Sequence, residues 1–152
     1  MHNIFVRNIF VSVAIVFALA LGSIPAARSQ STGTITVNVY HLHNDKGVVR
    51  CGLFNSPDGF GKPGSQFLGV NATPSGGVAT CVFEKVPPGT YAVALFHAEK
   101  NETKMTYGFF GAPDQGYGFS NNPDTTFGPA SFKDASFSFT GGNMPLSVRV
   151  SY

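Results

Sequence analysis

The sequence predicts an all-β fold: a single antiparallel β-sandwich of about seven strands, Ig- or transthyretin-like in kind. Three observations carry this expectation. Apolar and polar residues alternate with period two in several separate runs, and no stretch beyond residue 30 carries a helical apolar stripe. The runs are short and end at Gly, Pro or Asn. They are not separated by helical segments, so there is no βαβ rhythm and no parallel-sheet nucleotide site to expect.

Residues 1–29 stand apart and read as a signal-peptide helix. Arg7 precedes the uncharged apolar run 9–21 (IFVSVAIVFALAL), and Gly22, Pro25 and several small residues follow it. Such a run falls short of the roughly 20 residues a membrane-spanning helix needs. The expectation is an exported protein, periplasmic or extracellular, with no transmembrane span after removal of the leader. Residues 30–152 then form one domain, long enough for a real core. From Gln30 onward eight Lys and Arg balance eight Asp and Glu. The formal charge of +2 therefore resides in Arg7 and Arg28. A neutral domain without a basic cluster gives no reason to expect nucleic acid as a partner.

The strands follow in order. In 34–41 (TITVNVYH), Ile35, Val37 and Val39 share one face. The turn 44–47 (NDKG) leads into 48–54 (VVRCGLF), and after a polar, glycine-rich stretch 66–72 is a weaker candidate. In 78–86, Ala79, Cys81 and Phe83 share a face; in 91–97 (YAVALFH), Tyr91, Val93, Leu95 and His97 do. Segments 136–140 and 146–151 close the set. Between the fifth and sixth strands lies one long loop, 98–135, that includes YGFFGAPDQGYGFSNNPDTTFGP. It is rich in glycine, proline and aromatics and has no period. Loops of this length are uncommon in compact domains unless they have a task.

Cys51 and Cys81 are the only cysteines, each within an apolar run. Export favours a disulfide between them; two buried thiols are the alternative.

The junction 83–91 (FEKVPPGTY) joins two strands through a pair of prolines that cannot donate to a ladder, with Gly89 expected to take the positive φ of the tight return. Strand, PPGxY, strand resembles the transthyretin-like, carboxypeptidase-regulatory group of sandwiches. Farther on, GTYAVALFH at 89–97, GAPDQGYGFSNNP at 111–123 and PASFKDASF at 129–137 resemble a bacterial family of small exported proteins, the domain of unknown function 2141. That resemblance implies the same fold and no assigned activity. In the family the strand ending in His runs into a stretch of the form HDxNxNGxxD, a spacing suited to calcium. Here Ala98, Lys100, Thr103 and Thr106 depart from it, so the resemblance does not carry a cation over.

Candidate chemistry is sparse. His41 and His43, two apart, would share a face on a strand and are weak metal candidates, with His97 as a third. No cofactor is expected. His97 is read as a half-buried residue anchoring the long loop; the competing role is a general acid or base with Glu99 or Asp114. Tyr117, Phe119, Asn121 and Asn122 admit two readings. The aromatics either plug the end of the sandwich between turn glycines, with the asparagines bonding loop carbonyls, or offer a platform to a ligand. The leading expectation is a non-catalytic binding module for a small molecule, sugar or protein. It would act through His97, Tyr117, Phe119, Asn121 and Asn122. A small hydrolase or metal-dependent enzyme is the runner-up, and a structural envelope component docking by a strand edge is the third.

Overall fold

The computed structural model describes residues 31–152; the signal peptide expected at 1–29 lies outside them. Eight strands and one helical turn follow in the order β1 (Gly33–Tyr40), β2 (Val48–Phe54), β3 (Leu68–Ala72), β4 (Val78–Val86), β5 (Gly89–Ala98), β6 (Tyr117–Phe119), α1 (Phe132–Ala135), β7 (Ser136–Phe139) and β8 (Asn143–Arg149). They form two packed sheets. One has the order β4-β1-β8, the other β3-β2-β5-β6. β7 also pairs with β5, so β6 (along 94–96) and β7 (along 89–92) lie end to end on the same edge of that strand.

The faces are those the alternation predicts. Ile35, Val37 and Val39 of β1 meet Cys51 and Leu53 of β2, Cys81 and Phe83 of β4, and Tyr91, Val93 and Leu95 of β5 in one buried cluster. A disulfide joins Cys51 to Cys81, from β2 in one sheet to β4 in the other. Tyr91 is buried in this core and donates its hydroxyl to the Pro87 carbonyl at 2.9 Å, which ties the proline junction down.

The sandwich departs from the expectation at four points. It is not wholly antiparallel, because β1 and β8 pair in parallel. The chain crosses from β7 in one sheet to β8 in the other through Gly141 and Gly142, and period-two patterning has no bearing on strand direction. β8 starts at Asn143, ahead of Pro145, which an edge strand tolerates. The long loop is not featureless, since it contains β6 and α1. Its first two-thirds also hold a narrow hairpin, Tyr107 bridging Pro113. Finally, the 85–89 reversal places Lys85, not Gly89, at positive φ.

Two surface turns shape the end of the sandwich near His97. The Asp45 carboxylate accepts hydrogen bonds from the Gly76 and Gly77 amides, at 2.8 Å each. These bonds hold its pKa below the usual carboxylate range. Gly47, at φ 65, lies so close to β5 that a Cβ there would stand 1.9 Å from the Ala98 carbonyl oxygen. Only glycine lets this turn press against the strand. Among the described residues, no helix is long and apolar enough to cross a membrane.

Candidate functional site

His97 lies on the core face at the end of β5 and is wholly buried. Its Nε2 is 2.8 Å from the Lys46 carbonyl oxygen, delivered there by the Gly47 turn. A carbonyl only accepts, so Nε2 carries the proton. Nδ1 is 2.8 Å from the Tyr152 hydroxyl, which in turn accepts the His43 amide at 3.0 Å. The consistent arrangement is a relay of donors: His43 N–H to Tyr152, Tyr152 O–H to Nδ1, and Nε2–H to Lys46. Both imidazole nitrogens are therefore engaged in holding the 41–47 turn and Tyr152 onto β5, so His97 is wholly rather than half-buried and its ring anchors this turn, not the long loop as expected.

The partners proposed for acid–base chemistry are placed differently. The Glu99 Oε1 is 3.8 Å from Nδ1, while its Oε2 accepts from the Asn44 side chain at 2.9 Å. Asp114 accepts from the Thr106 hydroxyl at 2.8 Å, at the base of the 107–113 hairpin. His41 and His43 do not share a strand face, because β1 ends at Tyr40 and His41 has φ 68. The His41 Nδ1 donates to the Val150 carbonyl at 3.0 Å, and the His43 ring stacks flat on Tyr152 with centroids 3.4 Å apart. Among the described residues, no three His, Cys, Asp or Glu side chains gather as metal ligands would.

Burial pushes the phenol of Tyr152 upward, with the Glu99 charge adding to it and the His43 amide opposing. Burial does the same for Tyr91. In each case the unfolded chain releases the proton at a lower pH than the folded one. Stability is accordingly full below about pH 10 and declines as pH rises through the elevated folded values. Melting temperatures followed from pH 8 upward, beside phenolate absorbance, should fall together with ionisation; a profile that stays flat while the tyrosines ionise would contradict the burial of Tyr91.

The second part of the site is built by β6. Tyr117 and Phe119 point away from the core, and Gly118 between them faces it. A Cβ at Gly118 would stand 2.6 Å from the Arg149 carbonyl and 2.8 Å from Val148 Cγ1, so glycine here allows a close approach to β8 rather than a turn. Phe119 packs outside the sheet against Phe60, which itself meets Phe54 and Phe132 edge-on. The aromatics thus cover an outer face; they do not plug the end of the sandwich.

The two asparagines follow at positive φ, 66 and 47. The Asn121 side chain donates to the carbonyls of Asp134 and Ser136, at 3.1 and 2.9 Å. Asn122 donates to the Ser147 carbonyl at 3.0 Å and accepts from the Arg149 amide at 2.8 Å. Its amide thereby occupies the edge of β8 as a peptide of a neighbouring strand would. The Tyr117–Ser151 bridge closes the next position along that edge. Ser120, fully buried, accepts from Val93 N–H at 2.8 Å and donates to the Ala135 carbonyl at 2.5 Å, pinning the loop to β5 and α1.

Between β6, the 122–126 segment and β8 runs an open groove of about 550 Å³, lined by Tyr117, Asn122, Asp124, Thr125, Arg149 and Tyr152 among others. The Asp124 Oδ1 accepts both the amide and the hydroxyl of Thr126, which lowers its pKa and, among the described residues, leaves Oδ2 without a partner. Among the described residues, the Arg149 guanidinium has no hydrogen-bond or ion-pair partner. Of the predicted site residues, Tyr117, Phe119 and Asn122 come together at this groove. His97 lies behind Tyr152, and Asn121 bonds elsewhere. Arg149, Asp124 and Tyr152 escaped the sequence reading.

A family model described as an uncharacterized protein conserved in bacteria (DUF2141) matches residues 37–147. No curated protein and no solved structure matches the chain.

Proposed function

Because the chain belongs to the DUF2141 family of bacterial proteins, to which no activity attaches, we propose a function from its own groove: a non-catalytic, exported module that binds a saccharide. The observation that carries this is the groove's lining. It sets the free guanidinium of Arg149 and the ionised Asp124 beside Tyr117 and Tyr152. Sugars present hydroxyls that both donate and accept, along with C–H faces that pack on aromatic rings. A cation, a carboxylate oxygen and aromatic rings answer that combination. The engagement of both His97 nitrogens supports binding over catalysis. The amide cover over the β8 edge argues against docking along that edge. The leader at 1–29 and the disulfide support export.

A thermal-shift screen of mono- and disaccharides tests this. A ligand at about 100 times its Kd adds roughly 2.7 kcal/mol of stability. Arg149 is exposed, so Arg149→Ala should leave the unliganded stability within about 0.5 kcal/mol of wild type while abolishing the ligand's shift. A saccharide that stabilises both proteins equally would place its site elsewhere, and a screen with no stabilising sugar would reject the saccharide.

A further inference from the structure

The 107–113 hairpin is unused by the groove and by the His97 network. Its arms are joined by the Tyr107–Pro113 bridge, by Gly108 N–H to the Ala112 carbonyl at 2.9 Å, and at its base by Asp114 N–H to the Thr106 carbonyl at 2.9 Å. The Gly111 N–H closes the tip on the Gly108 carbonyl, also at 2.9 Å. Phe109 and Phe110 therefore occupy the two central positions of a tight turn. They are 97% and 95% exposed, their rings meeting edge-on at 5.1 Å. Two adjacent aromatics at that exposure, on a turn held by its own backbone bonds, contribute nothing to the fold.

We propose that this hairpin tip inserts Phe109 and Phe110 into the interface of a lipid bilayer. The order of chemistry along the hairpin argues for lipid over a protein pocket. The rings are at the tip, Tyr107 is two residues behind on the arm, Thr106 and Asp114 pair at the base, and Lys104 stands beyond. No charge interrupts 105–113. Apolar tip, tyrosine shoulder and lysine root match the descent from acyl chains through headgroups to water. Of the charges in the approach to the hairpin, Glu99 accepts from the Asn44 side chain and Glu102 from the Lys100 amide, while among the described residues the Lys100 and Lys104 ammonium groups form no ion pair. Such lysines favour an anionic surface. Asp114, the one acid at the hairpin base, is held by Thr106. The tip is convex and narrow, suited to a soft medium that closes around it.

The chain has no tryptophan, so Phe110→Trp places a single reporter at the tip. The full-length Phe110→Trp protein would be mixed with phosphatidylcholine vesicles containing phosphatidylglycerol. The expected result is a blue-shifted emission that is quenched by lipids brominated in the acyl chain. Adding Phe109→Ser should weaken partitioning on the order of 10-fold or more, as loss of one buried ring requires. Emission that stays at its aqueous position while the protein sediments with vesicles would overturn the proposal, since the leader would then be the anchor. A blue shift without lipid that grows with protein concentration would overturn it in favour of a second copy of the chain. Quenching unaltered by Phe109→Ser would overturn it as well. None of these outcomes depends on the saccharide reading of the groove.

Discussion

Replacing both Cys51 and Cys81 with alanine should lower stability by about 3–4 kcal/mol and the melting temperature by roughly 10–20 °C. The cause lies first in the unfolded chain. The bridge closes a loop across a sequence separation of 30 residues, and removing it returns that loop's freedom to the denatured ensemble. The folded state adds a second cause. The two residues are almost fully buried and connect β2 of one sheet to β4 of the other, so their loss also leaves unfilled space between the layers. Among the described residues this is the only disulfide cross-link between the two sheets. Reducing agent should reproduce most of the loss in the wild-type protein and none in the double variant. Superimposable melts of oxidised wild type and variant would show that the bridge does not restrain the unfolded chain.

The core was legible because its rule is local. Ile35, Val37 and Val39 alternate with polar partners, and so do Ala79, Cys81 and Phe83; a half-buried strand asks for nothing more. β6 was illegible because it inverts that rule. Gly118 is the inward residue and the aromatics Tyr117 and Phe119 point out, made tolerable by Phe60 and Phe132 from remote segments. α1 is a single turn, started by Ser131 accepting the Asp134 amide and too short to present a periodic stripe. The candidate site divides the same way. Tyr117 and Asn122 stood out as loop residues of unusual composition. Arg149 had no such mark, because nothing local reveals that β6 lies across from it. His97 could be assigned to a face but not to a partner, since Lys46 and Tyr152 lie 51 and 55 residues away.

His97→Ala should cost about 3–5 kcal/mol, independently of any ligand. Two hydrogen bonds are lost, the Lys46 carbonyl is left without its donor, and a cavity the size of an imidazole opens at the end of the core. A stranded buried acceptor alone costs about 1–3 kcal/mol. Tyr152 would lose its acceptor, and its stack with His43 would be held only by the His43 amide. Because Tyr152 also lines the groove, ligand affinity should fall with stability in this variant. Glu99→Gln separates this account from acid–base catalysis. Its side chain meets the Asn44 amide and lies 3.8 Å from the imidazole, outside hydrogen-bonding distance. If His97 holds the turn, Glu99→Gln should change stability by well under about 1 kcal/mol and leave ligand binding intact. If instead the pair works as a unit, both substitutions would abolish a shared activity at wild-type stability. Denaturant unfolding of the two variants decides between them, since only the structural role makes the first variant unstable and the second nearly silent.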